Sequence, residues 1–165
     1  MAFNSVADYQ QKAHETCEPQ CWKEEYLIPG LVSEVGEYAG KFKREVRGDR
    51  NSLVDLPTLK ALELGDICWY LAESSAFLNT GMQYLFPKIM RQPEAYTEYG
   101  WLCRLSAAAS KIAVGQYDGF VEAWICVMAL SQINGYSLQS VLDMNLSKLQ
   151  SRQERNQIKG KGDAR

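Results

Sequence analysis

Leu59-Lys60-Ala61-Leu62-Glu63-Leu64-Gly65-Asp66-Ile67-Cys68-Trp69-Tyr70-Leu71-Ala72 is the stretch that decides the fold class. Its apolar residues fall almost all round a helical wheel, so it reads as a buried α-helix. Pro57 near its start occupies a favoured first-turn position, and the helix is expected to run through Leu78 to an Asn79-Thr80-Gly81 stop. Glu63 and Asp66 share a face with Leu59, Leu62, Tyr70 and Phe77. Two carboxylates on a core face cost several kcal/mol each unless something compensates them.

Upstream, Leu31, Val35, Tyr38, Phe42 and Val46 recur at helical spacing and predict a helix from Leu31 to about Arg47, with Pro29-Gly30 before it as punctuation. That helix carries Glu34-x-x-Glu37. Residues three apart are neighbours on one helical face, so each acidic pair can aim two carboxylates at one point. One turn, Gly48-Asp49-Arg50-Asn51-Ser52, separates the two helices, which can therefore close as an antiparallel hairpin with all four acids together. Four facing acids repel, and a bound divalent cation reverses that repulsion. The competing reading pairs the acids with nearby bases such as Lys41, Lys43 and Arg44.

The rest of the chain also reads as helices: about Ser5 to Thr16, opened by a Ser5-x-x-Asp8 capping box, then about 97–114, 119–133 and Leu138–Gln157. Tyr84–Tyr96, with Pro87 and Pro93, is ambiguous, and no β-alternation appears. The fold class expected is an all-α bundle, a single domain of 165 residues.

Hydrophobic residues make up 46% and charged residues 23%, a globular composition. Lys plus Arg total 18 against 20 Asp plus Glu, which argues against a duplex nucleic-acid partner. No basic segment followed by an apolar one opens the sequence, and no apolar run would span a bilayer, so the expectation is a cytoplasmic protein without a membrane partner. Cys17, Cys21, Cys68, Cys103 and Cys126 lack metal-ligand spacing, and His14 is the single histidine. All-oxygen ligation favours Mg²⁺ or Mn²⁺. The helical di-iron proteins require Glu-x-x-His on two helices, which one histidine does not supply.

Gly30-Leu-Val-Ser-Glu34-Val-Gly-Glu37, followed by Glu63-Leu-Gly-Asp66-Ile-Cys-Trp-Tyr-Leu-Ala72, resembles the MazG-like all-α nucleoside triphosphate pyrophosphohydrolases. That family is marked by E-x-x-E on one helix and E-x-x-D on the next. The likeness continues in Val141-Leu-Asp-Met-Asn145-Leu-Ser-Lys148-Leu-Gln-Ser-Arg152 and Ile158-Lys-Gly-Lys-Gly-Asp163-Ala-Arg165, and is weaker over about 84–136. The resemblance implies hydrolysis of a nucleoside triphosphate to the monophosphate and pyrophosphate. It makes Glu34, Glu37, Glu63 and Asp66 the catalytic Mg²⁺ ligands, with Glu37 or Glu34 also a candidate to orient the attacking water. The alternative within the same superfamily is a related dUTP/dCTP or phosphoribosyl-ATP pyrophosphatase, so the base stays open. A homo-oligomer, dimer or tetramer, is expected. A non-catalytic Mg²⁺-nucleotide sensor is the alternative of a different class.

Asn145 lies in the seam of Leu138, Leu142 and Leu149, where a polar residue can set register. Beside Lys148 and Arg152 it also fits an edge that binds substrate phosphate or sugar. Lys159, Lys161 and Arg165 extend that basic set, with a frayed terminus as the plain reading. Gly36, Gly40 and Gly65 inside helices suggest either close helix approach, room for substrate, or ordinary tight packing. Residues 97–135 faintly echo 31–81, with Ala108, Lys111, Tyr117 and Phe120 in place of Glu34, Glu37, Glu63 and Asp66. Such a degenerate repeat would pack on the active hairpin as a pseudo-dimer, and Lys111 would offer a positive charge near substrate. Coincidence between two amphipathic helix pairs is the competing account.

Overall fold

The computed structural model describes residues 6–49, 55–80 and 97–155. Among them are six α-helices and no strand: α1 Val6–His14, α2 Glu24–Val46, α3 Leu56–Phe77, α4 Glu98–Ala113, α5 Gly119–Ile133 and α6 Leu138–Glu154, with a 3₁₀ turn at Pro19–Cys21. The all-α fold class follows directly from this.

Local chemistry sets the helix starts. Asp55 caps α3 by accepting from the Thr58 amide at 2.8 Å, with Pro57 in the first turn. Thr97 and Ser137 cap α4 and α6 in the same way. Gly135 ends α5 at φ +82°, the left-handed conformation that the Asn134-Gly135 pair signals. The ambiguous stretch 84–96 and Ser5 of the expected capping box lie outside the described residues.

One boundary differs substantially from the sequence reading. Helix α2 begins at Glu24, seven residues before Leu31, and runs through Pro29. A proline inside a helix gives up one backbone hydrogen bond. Here Leu27 and Leu31, on either side of it, are both fully buried, and their burial holds the extra turns in place. Gly30 then lies under the Tyr70 ring of α3, where a Cβ would collide with Cε1 and meet Cζ at 2.5 Å. The Pro29-Gly30 pair thus marks a close crossing of two helices rather than a break.

Helices α2 and α3 form one hairpin and α4 and α5 a second. Helix α2 packs on α4, and α3 packs on α5, α6 and α1, so α3 is central. Its residues Leu64, Ile67, Cys68, Leu71 and Ala72 are fully buried, as its all-round apolar pattern requires. A polar network crosses this core. Lys60, 1% exposed, donates to Glu45 Oε2 at 2.8 Å and to Glu98 Oε1 at 2.7 Å. Tyr38 donates to the same Glu98 oxygen and accepts from Asn134 Nδ2 at 3.0 Å, so one network joins α2, α3, α4 and α5.

The second hairpin packs on the first, α4 on α2 and α5 on α3. The echo is uneven, however. Tyr117 is exposed in the turn before α5, whereas Glu63 sits well inside α3. Phe120 and Ala108 are buried, and Lys111 pairs with Glu122 at 2.9 Å and Asp118 at 3.5 Å, within its own hairpin.

Candidate metal centre and adjoining cavity

Glu34 and Glu37 lie one turn apart on α2, and Glu63 faces them from α3. One carboxylate oxygen from each of the three lies within 4.8 Å of the others. Three of the four acids singled out in the sequence therefore converge. Glu34 is half-buried, and its carboxyl is pushed up to about 7, first by burial and then by the charges of Asp66, Glu37 and Glu63, with Lys148 pulling it back. Glu63 also accepts from Lys41 Nζ at 2.9 Å. The competing reading through local bases thus holds for one contact, while Arg44 faces Asp49 instead at 3.9 Å.

Asp66 stands one turn along α3 from Glu63, close enough to act on Glu34, but its oxygens are engaged elsewhere. Lys148 of α6 bonds both of them, Oδ2 at 2.5 Å, and Asn145 Nδ2 donates to Oδ1 at 2.9 Å. Asn145 is 1% exposed and its own carbonyl accepts from Tyr9 OH at 2.8 Å. A single chain of bonds so links α1, α6 and α3. Gly65 permits it: a Cβ there would sit 2.9 Å from Asn145 Cβ and 3.4 Å from the Val141 carbonyl. Close approach of α6 accounts for Gly65, whereas Gly36 and Gly40 have nothing within 4 Å of a Cβ position.

Glu34 and Asp66 also line a cavity of about 280 Å³. Trp69, Tyr70 and Tyr26 supply aromatic wall, Arg152 and Leu149 come from α6, and Thr16, Glu18, Gln20 and Cys21 come from the end of α1 and the 3₁₀ turn. Trp69 and Tyr70 border the cavity, while Trp22 packs on His14 and Phe77 and Trp101 is buried in α4. Arg152 is exposed at the rim; Lys159, Lys161 and Arg165 lie outside the described residues.

The wall from residues 16–21 was not legible in the sequence, because nothing periodic ties that loop to α3. A second unanticipated group is Glu73, fully buried on α3. It meets His14 Nδ1 at 3.0 Å through Oε2, and its Oε1 has no hydrogen-bond partner. The five cysteines are unpaired.

Comparison of the chain with protein-family models, curated proteins and solved structures found no match. No described helix is long and apolar enough to cross a membrane.

Proposed function

We propose that the chain is a Mg²⁺- or Mn²⁺-dependent nucleoside triphosphate pyrophosphohydrolase that converts a (deoxy)nucleoside triphosphate to the monophosphate and pyrophosphate. The observation that carries this reading is the convergence of Glu34, Glu37 and Glu63 beside a cavity large enough for part of a nucleotide. The donor set fits a hard divalent cation: it is all oxygen, and Glu34 is raised first by burial and then by the neighbouring carboxylates, a cost that added positive charge offsets. When bound, such an ion neutralises substrate phosphate and makes a water molecule more acidic.

The chain's own residues then have distinct tasks. Glu34, Glu37 and Glu63 would hold the ion, and Glu37, the exposed member, would orient water by accepting one of its hydrogens. Arg152 at the cavity rim supplies bidentate hydrogen bonds to phosphate oxygens. Lys148, poised on Asp66, keeps a second positive charge beside the same site, and Asn145 fixes the Asp66 carboxylate through its bond to Tyr9. Trp69 and Tyr70 supply flat apolar wall beside Glu34 and Asp66.

A hydrolysis screen over nucleoside triphosphates with Mg²⁺ and Mn²⁺, following pyrophosphate, tests this. Wild type should release pyrophosphate, and Glu37→Ala should lose at least about a hundredfold in rate. Thermal stabilisation by nucleotide with no product in either metal would overturn catalysis in favour of a nucleotide sensor.

A further inference from the structure

Asp66 is met by a cation from outside the α2–α3 hairpin. Lys148 reaches it from α6 and bonds both carboxylate oxygens, while Asn145, one turn earlier on the same helix face, donates to Oδ1 at 2.9 Å. These two partners are not held alike. Asn145 is 1% exposed and pinned by the Tyr9 hydroxyl at 2.8 Å, so its amide is fixed. The Lys148 side chain is 21% exposed, and its ammonium is a compact charge with three donors on a flexible four-carbon stem. Its charge also reaches Glu34, pulling down a carboxyl that burial first, and then Asp66, Glu37 and Glu63, push up. Lys148 thus occupies one edge of the acid cluster as a cation in its own right, and a divalent ion drawn to Asp66 meets its repulsion.

Resting on the triphosphate reading above, we propose that Lys148 is a displaceable internal cation: it holds Asp66 until a substrate phosphate draws the ammonium away, and Asp66 then joins Glu34, Glu37 and Glu63 around the divalent ion. The surroundings permit such an exchange. Asp66 borders the cavity, as do Leu149 and Arg152, which follow Lys148 on α6, so a phosphate held there by Arg152 competes with Asp66 for the ammonium. A triphosphate carries more negative charge than one carboxylate, which tips that competition. The fixed Asn145 amide keeps Asp66 oriented through Oδ1, while Oδ2, bonded by Lys148, is released toward the other acids. Lys148 is in this sense a positioning residue that acts on the metal through Asp66. Phosphate binding then supplies a fourth ligand, and by linkage the bound metal favours phosphate by the same factor.

One substitution should move two affinities in opposite directions. In titration calorimetry with Mn²⁺ alone, Lys148→Met should bind at least about tenfold more tightly than wild type, because the competing charge is gone and Asp66 is free to ligate. With Mg²⁺ saturating both proteins, the same variant should bind inorganic tripolyphosphate at least about tenfold more weakly, since the ammonium that would receive it is missing. Lys148→Arg keeps the cation and should stay within about threefold of wild type for Mn²⁺. A lysine that only held α6 against α3 would weaken both affinities when lost, and one that only bound phosphate would leave Mn²⁺ unchanged; either result overturns the exchange. So does a failure of both proteins to bind Mn²⁺. The hydrolysis screen is read separately. Pyrophosphate release by wild type with equal Mn²⁺ affinities leaves catalysis standing and overturns the exchange. The two opposite shifts in a protein that turns over no triphosphate support the exchange and remove catalysis.

Discussion

Two buried ionisable residues carry much of the physical information in this chain. Lys60 is sealed in the core, and its charge is tolerated because Glu45 and Glu98 meet it within 2.8 Å. Lys60→Ala leaves the Glu98 carboxylate, itself 15% exposed, without its cation and with the Tyr38 hydroxyl still donating to it, and should cost about 3 kcal/mol in urea unfolding, the low end of the range for breaking a buried pair. Glu73 has the opposite character. Burial raises its pKa above the ordinary 4.5, and the nearby His14 ring and Cys17 thiol only partly offset this. A folded-state pKa above the unfolded one means that the folded protein binds more proton. The stabilising contribution is then present at low pH and is lost as pH climbs from the unfolded value through the raised one. Wild-type stability should accordingly decline over that window. Glu73→Gln should flatten the decline, and an unchanged slope in a pH series of urea midpoints would count against the assignment. Glu73 was invisible as a special residue in the sequence, since its partners His14 and Cys17 lie 59 and 56 positions away, beyond any local period.

Within elements, glycine distinguishes contact from mere exposure. Helical glycine costs roughly 1 kcal/mol relative to alanine. Gly36→Ala meets open space and should raise stability by up to about 1 kcal/mol. Gly65→Leu must drive α6 off α3 and should lower stability by about 2 kcal/mol, through overpacking and the loss of the Asn145–Asp66 bond. Paired urea midpoints check the two together, and equal effects would overturn the packing account. The sequence offered the same three readings for Gly36, Gly40 and Gly65, because a missing side chain says nothing about what fills its place. Proline misled for a related reason. Pro29 carries a local cost, and only the burial of Leu27 and Leu31 against the neighbouring helices explains why α2 starts at Glu24.

For the molecule as a whole, cation binding should couple to stability. Three carboxylates are held together by the α2–α3 hairpin with Lys41 on Glu63 alone among them, so a divalent cation would remove most of their repulsion. At a concentration a hundredfold above its Kd, Mg²⁺ or Mn²⁺ should add about 2.7 kcal/mol, a rise in Tm of roughly 5–10 °C. Glu37→Ala should lose most of that rise in a thermal scan, and an unchanged Tm in wild type across millimolar metal would sink the metal centre.

What the sequence determined by itself is everything carried by short periods: helical class, most helix ends, and two acidic pairs each aimed from one helix face. These follow from residues three and four apart sharing a surface, and from caps that bond within one turn. Only the tertiary structure decided how the acids divide. Glu34, Glu37 and Glu63 converge, whereas Asp66 is turned to Lys148 and Asn145, residues 82 and 79 positions further along. The cavity is likewise a tertiary product, since α1, the 3₁₀ turn and α6 each supply a wall to α2 and α3. Long-range packing places those walls, and no local pattern encodes which distant side chain will arrive at a given carboxylate.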